Sequence, residues 1–147
     1  MNLFEPSSAQ EVLFRLNNIS AATPAQWGKM NAAQMMAHCQ APFQVYFGEM
    51  KLKRALVSYL FGKMAKRKLF SPQPWARNLP TAPQFKIREE REFEAEKEKL
   101  VAYINRFANE GYTITSTLHP FFGKLSSQEW ALLAYKHLDH HLKQFGA

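Results

Sequence analysis

The sequence predicts an all-α domain: a four-helix bundle with an extra basic helical segment and a proline-rich crossover. Three observations lead there. Apolar residues recur at helical spacing in four separate segments. Three of these open on Ser or Asn with Glu or Gln three positions later, the pattern of a capping box. Strand-like alternation is confined to "YTITST", and Pro120 and Gly123 follow so soon that a loop is expected there. Helices with no sheet to cover pack on one another, so a bundle is the default. The 147 residues are read as one domain, residues 1–147, enough to bury a core.

The first helix is expected from "SSAQEVLFRL", with Ser8 and Glu11 as its box and Val12, Leu13 and Leu16 on one face. It should end before "ATPAQWGKM". The second starts at "NAAQMMAHCQAPFQVYF", where Asn31 caps and Gln34 reciprocates. Met35 and His38 share its apolar stripe. Pro42 lies inside the pattern, removes a donor and crowds the preceding turn, so a kink or break is expected. Helix should resume toward Phe47, and again from about Leu52 to Lys66.

That last stretch is the basic one. Residues 51–68, "KLKRALVSYLFGKMAKRK", hold seven Lys/Arg and no acid, against a net charge of +7 for the whole chain. With Tyr59 and Phe61 among them, these cations could attract nucleic acid or anionic lipid. The preferred reading is a solvated flank, with Leu52, Leu56, Leu60 and Met64 turned inward. A basic patch alone does not make a nucleic-acid site, so no nucleic-acid partner is expected.

"FSPQPWARNLPTAP" holds four of the eight prolines and reads as an ordered crossover, with Trp75 against the body. The third bundle helix is "EEREFEAEKEKLVAYINRFANEG". Phe93, Leu100, Ile104 and Phe107 form its stripe, and Gly111 stops it. The acids of its first half read as a solvated face. The last helix starts at "SSQEW", where Ser126 and Glu129 make a box, and runs to about Phe145.

Composition limits function. Hydrophobic residues are 46% and charged residues 21%, which argues against disorder. No apolar run reaches the roughly 18–20 residues of a membrane span, and no signal peptide is apparent, so no membrane partner is expected. Cys39 is the one cysteine, which fits a reducing compartment and a cytoplasmic location.

Three of the five histidines crowd into "YKHLDHHLKQ". His137 and His141 are four apart, so one helical face carries both, and two imidazoles at that spacing can converge on a metal ion. His140 faces a cleft edge or solvent, as a pocket residue, and is the poorer partner. A stable divalent site wants a third ligand, and His38, His119 and Cys39 are the candidates. Each also has a plainer reading: His38 as a hydrogen-bonded core residue, His119 as a loop staple before Pro120, Cys39 as a small buried residue. Gln34, one turn before His38, and His119 are candidates to hold a ligating imidazole. Trp130, on nearly the same face as His137, lines a pocket or the core.

"WGKMNAAQMMAHCQAPF" and "HPFFGKLSSQEWALLAYKHLDHHLKQFG" together resemble the opening and closing motifs of the DinB/YfiT-like superfamily of metalloenzymes, in a branch known mainly as a domain of unknown function. The match covers both ends of the chain, and the middle contributes little. The resemblance implies a four-helix bundle, usually dimeric, so a homodimer is expected. It implies a metal site with one His from the second helix and an H-x-x-x-H pair from the last: His38, His137 and His141. It implies nickel or zinc as the ion, and a small-molecule substrate. Some relatives are thiol S-transferases that join a low-molecular-weight thiol to an electrophilic carbon, and no motif here identifies such a cofactor. Three neutral imidazoles leave the ion dicationic, able to activate a thiol or water for S-transfer or hydrolysis. The competing expectation is a non-enzymatic helical module that binds a ligand or partner, its histidines structural.

Overall fold

Pro6 opens α1 (Pro6–Asn17), where a missing N–H loses nothing because first-turn amides have no helical acceptor. The computed structural model describes residues 1–52, 56–113 and 116–147, apart from the side chains at 56–61, 63, 116 and 117. The box expected at Ser8 does not form. Glu5 is the N-cap, and the Ser8 hydroxyl donates to its carboxylate at 3.2 Å. Proline at the first helical position starts the helix early, so Ser8 falls inside the first turn.

α2 (Ala32–Tyr46) begins on the expected box, Asn31 and Gln34 each bonding the other's backbone N–H. It runs through Pro42 without the expected break. The N–H that Pro42 lacks would have met the His38 carbonyl four residues back. Met36, Cys39, Phe43 and Tyr46 are all buried on both sides of that point, and their packing outweighs one lost backbone bond.

α3 (Leu56–Leu69) is the basic segment. Leu52, just before it, packs against the core. Met64, expected inside, is 66% exposed. Gly62 is buried and Ala65 and Leu69 are half-buried, so near its C-terminal end the inward stripe is 62/65/69. Leu56, Tyr59, Leu60 and Phe61 lie outside the described side chains. Lys66 pairs with Glu129 at 2.6 Å, tying α3 to the last helix. The proline-rich crossover follows and includes a 3₁₀ turn at Pro83–Phe85. The Trp75 indole N–H donates to the Leu69 carbonyl at 3.0 Å, which seats the ring on the body as expected.

α4 (Phe93–Glu110) is capped by the Glu92 carboxylate, which accepts from the amides of Glu94 and Ala95. Phe93, Leu100, Ile104 and Phe107 are buried as the spacing predicts. Glu96 is not on a solvated face: it is buried, with Gln40 donating to it at 2.7 Å and Lys99 at 3.1 Å. Burial pushes this carboxyl up, and the two donors outweigh that and hold it below its usual range. Gly111 ends α4 without a left-handed turn. What it provides is room, since a Cβ there would lie 2.9 Å from the Phe4 ring.

The loop expected after α4 contains a short antiparallel hairpin, β1 (Ser116–His119) and β2 (Gly123–Ser126), with His119 opposite Gly123. Pro120 falls in the turn, where no ladder bond is lost, and Gly123 takes a left-handed φ of 78°. α5 (Ser127–Gln144) starts on the predicted box between Ser126 and Glu129.

α2 packs most extensively on α4, and α1 and α5 close around them. Met35, Met36, Phe43, Ile104, Phe107, Trp130 and Leu138 meet in the shared core. The described structure is thus mostly helical, five α-helices and one small two-stranded sheet. No helix among the described residues is long and apolar enough to cross a membrane.

Candidate metal centre

The inner face of α2 and one face of α5 bring three histidines together. His38 comes from α2. His137 and His141, one turn apart on α5, meet it from the other side. The Nε2 atoms of His38 and His137 lie 3.1 Å apart. The three rings sit with centroids 4.7–5.0 Å from one another. One nitrogen from each lies within 4.8 Å of the others, so the group can hold a metal ion.

Hydrogen bonds set which nitrogens face inward. His38 Nδ1 lies 2.9 Å from the Phe85 carbonyl, which can only accept, so Nδ1 carries the proton and Nε2 keeps a lone pair. Gln144 makes the same assignment for His141. Its Nε2 donates to the Trp27 carbonyl at 2.6 Å, which fixes the amide's orientation. Its Oε1 therefore faces His141 Nδ1, at 2.8 Å, and accepts the proton held there. His141 Nε2 is left with its lone pair. This is the outer partnership that ligating histidines commonly have, a carbonyl oxygen holding the far N–H.

Burial keeps the cluster neutral. It pushes the pKa of His38 down, and that of His141 to about 3, where the nearby His38 adds to the effect. His137 is pushed well below the ordinary value, first by burial and then by His141 and His38. Three neutral imidazoles suit a borderline divalent ion. Nitrogens bound at about 2.0–2.1 Å to one ion lie roughly 2.9–3.4 Å apart, depending on coordination angle. The 3.1 Å between His38 and His137 falls in that window.

The other predicted residues have different tasks. Gln34 spends its side chain on the α2 cap and on the Glu89 carbonyl, so it does not hold His38. His119 staples the hairpin turn: its Nδ1 accepts from the amides of Phe121 and Phe122, each at 3.1 Å. Its ring lies near Trp130, and burial pushes its pKa to about 4. Trp130 is core, against Tyr46 and His119. His140 stands outside the cluster, half-buried between Trp27 and Trp75 at 5.9 Å from each ring. Cys39 is buried beside the Met35 sulfur at 3.6 Å, and burial pushes its thiol up, away from reactivity.

Sequence reasoning missed Phe85 and Gln144. Gln144 sits three residues after His141 on the same helix, so helical spacing could have flagged it. Phe85 contributes only a backbone carbonyl from a distant turn and leaves no side-chain signal. Two glycines shape the same corner. A Cβ at Gly28 would lie 2.4 Å from Gln144 Nε2, and one at Gly146 2.6 Å from Gln26 Nε2; both residues have left-handed φ.

No curated protein and no solved structure matches the chain. A family model described as Protein of unknown function (DUF1569) matches residues 4–147, nearly the full sequence, and the chain belongs to that family.

Proposed function

We propose that His38, His137 and His141 hold one divalent metal ion, nickel or zinc, in a metal-dependent enzyme acting on a small molecule. The observation that carries this reading is the tautomer arrangement. Phe85 and Gln144 tie up the outer nitrogens of two imidazoles, and their inner lone pairs turn toward a third ring. A purely structural cluster would use only the inward lone pair of His38, accepting from His137 Nε2–H, whereas a metal ion draws on both.

The resemblance to the DinB/YfiT-like superfamily supports the same reading. So does the packing of α1, α2, α4 and α5 about one core, which suits a four-helix bundle of that type. A homodimer and a cytoplasmic location belong to this proposal.

When bound, the ion supplies Lewis acidity that makes a water or thiol nucleophilic at neutral pH. The chain's own part is to hold three neutral donors in place and keep protons off them. Cys39 is too deeply buried to serve as the reacting thiol, so S-transfer draws on a low-molecular-weight thiol, and hydrolysis needs only water.

Elemental analysis of untagged protein, beside the His38/His137/His141→Ala triple variant, tests the metal. About one ion per chain, absent from a variant that keeps its helical circular dichroism, is expected. Failure to take up nickel or zinc even after the ions are added back would overturn the reading.

A further inference from the structure

Beside the three histidines lies a cleft of about 450 Å³ between the Trp27 loop, the crossover and α5. That volume suits a small molecule. Trp27 and Trp75 flank it, with His140 between them. Trp75 lies 6.1 Å from the His137 ring, and His140 lies 5.1 Å from the His141 ring. A molecule in the cleft is therefore one side chain away from the metal ligands.

The charges on its walls do not balance. Arg77, Lys136 and Lys143 line it, against the Asp139 side chain and the main-chain oxygen of Ala147, to which Arg15 donates at 3.1 Å. Lys143 pairs with Asp139 at 2.8 Å, and Asp139 is also held by Arg15 at 2.9 Å. Lys136 donates to the backbone carbonyls of Ser71 and Gln73, and the nearby Asp139, already shared with Arg15 and Lys143, offsets only part of its charge. The Arg77 guanidinium lies 4.5 Å from the centre of the Trp27 ring. Among the described residues no carboxylate comes within ion-pair distance of it. A guanidinium with no carboxylate partner is a fork for a carboxylate or phosphate, and the two indoles give the cleft apolar walls for a flat body.

We propose that this cleft is the substrate subsite and takes a planar organic anion, its charged head on Arg77 and Lys136 and its flat body against Trp27 and Trp75. The inference rests on the metal-enzyme reading and names the substrate class of that same site. It makes the electrostatics of the cleft a selector: a neutral molecule of the same shape leaves the cations without a partner.

Isothermal titration with trans-cinnamate, phenyl phosphate and the neutral trans-cinnamamide tests it. The titrations use chelator-treated protein and the metal-site triple variant, so direct binding of the probe's head group to metal cannot produce the signal. At least one of the two anions is expected to bind about fivefold or more tighter than the amide in both proteins. The tighter of the two names the head group. Arg77→Gln should abolish that preference and Arg77→Lys should keep part of it. Arg77 is an exposed loop residue, so neither change disturbs the core. Trp75→Leu should weaken all three probes. Equal affinity for anion and amide, no saturation by about 10 mM, or a preference that survives Arg77→Gln would overturn the proposal. Binding preference in the triple variant and metal stoichiometry in the wild type are separate readouts, so either reading can fail while the other stands.

Discussion

His38 and His137, ninety-nine residues apart in the chain, face each other nitrogen to nitrogen at 3.1 Å. Two Nε2 atoms can meet in this way if one carries a proton and the other does not, or if both lone pairs serve one cation. Phe85 holds the His38 proton on the far nitrogen, so the inner lone pair of His38 is settled before His137 arrives. The geometry is thus fixed by a hydrogen bond outside the cluster, and several outcomes depend on such outside contacts.

Gln144→Leu should lower metal affinity about 10–100-fold without removing a ligand. The change frees the His141 ring and leaves the Trp27 carbonyl without its donor. Competition with a chromophoric chelator measures this. Unchanged affinity would mean that Gln144 does not orient His141.

Gly28→Ala should destabilise the fold by about 1–2 kcal/mol, because a side chain at positive φ is strained. The new Cβ would also press on Gln144 Nε2, 2.4 Å away, so metal affinity should fall with stability. In the Gln144→Leu background, the metal effect of Gly28→Ala should largely vanish. A double-mutant cycle of chelator competition and thermal melts reads both.

The metal-free protein should lose stability as pH drops from about 6.5 toward 4. The unfolded chain binds protons on imidazoles near pH 6.5, whereas burial holds folded His38 and His137 below that, His119 at about 4 and His141 at about 3. The unfolded state therefore binds more protons in this window, and acid favours it, by at most about 1.4 kcal/mol per pH unit for each group. Carboxylates held low, such as Glu96 and Glu129, act in the same direction only below about pH 4.5. Urea midpoints between about pH 7 and 5 isolate the histidine contribution. A flat profile there would show that these imidazoles protonate freely in the fold.

His119→Leu should cost about 1–3 kcal/mol and leave metal stoichiometry unchanged. It removes the acceptor shared by the Phe121 and Phe122 amides, and His119 lies outside the three-histidine group. Loss of the ion from a folded His119→Leu protein would instead make His119 part of the centre.

Features that depend on local spacing can be read from the residues alone. The i, i+4 placement of His137 and His141 follows from helical period, and the caps at Asn31 and Ser126 need only residues three apart. The buried stripe of α4 was legible for the same reason. Tertiary structure decided the rest. Pro42 should have broken α2, but buried neighbours on both sides hold it helical. Met64 pairs by spacing with Leu60, yet Met64 is exposed, and among the described side chains of α3 the inward ones are at 62, 65 and 69. Glu96 reads as a surface acid until Gln40 is packed beside it. Helical spacing puts Gln34 one turn from His38, but the Phe85 carbonyl holds that ring from forty-seven residues away. Helical period and capping are properties of a few neighbouring residues. Which backbone carbonyl reaches an imidazole, and whether a charge meets water or an amide, is set only when distant segments pack.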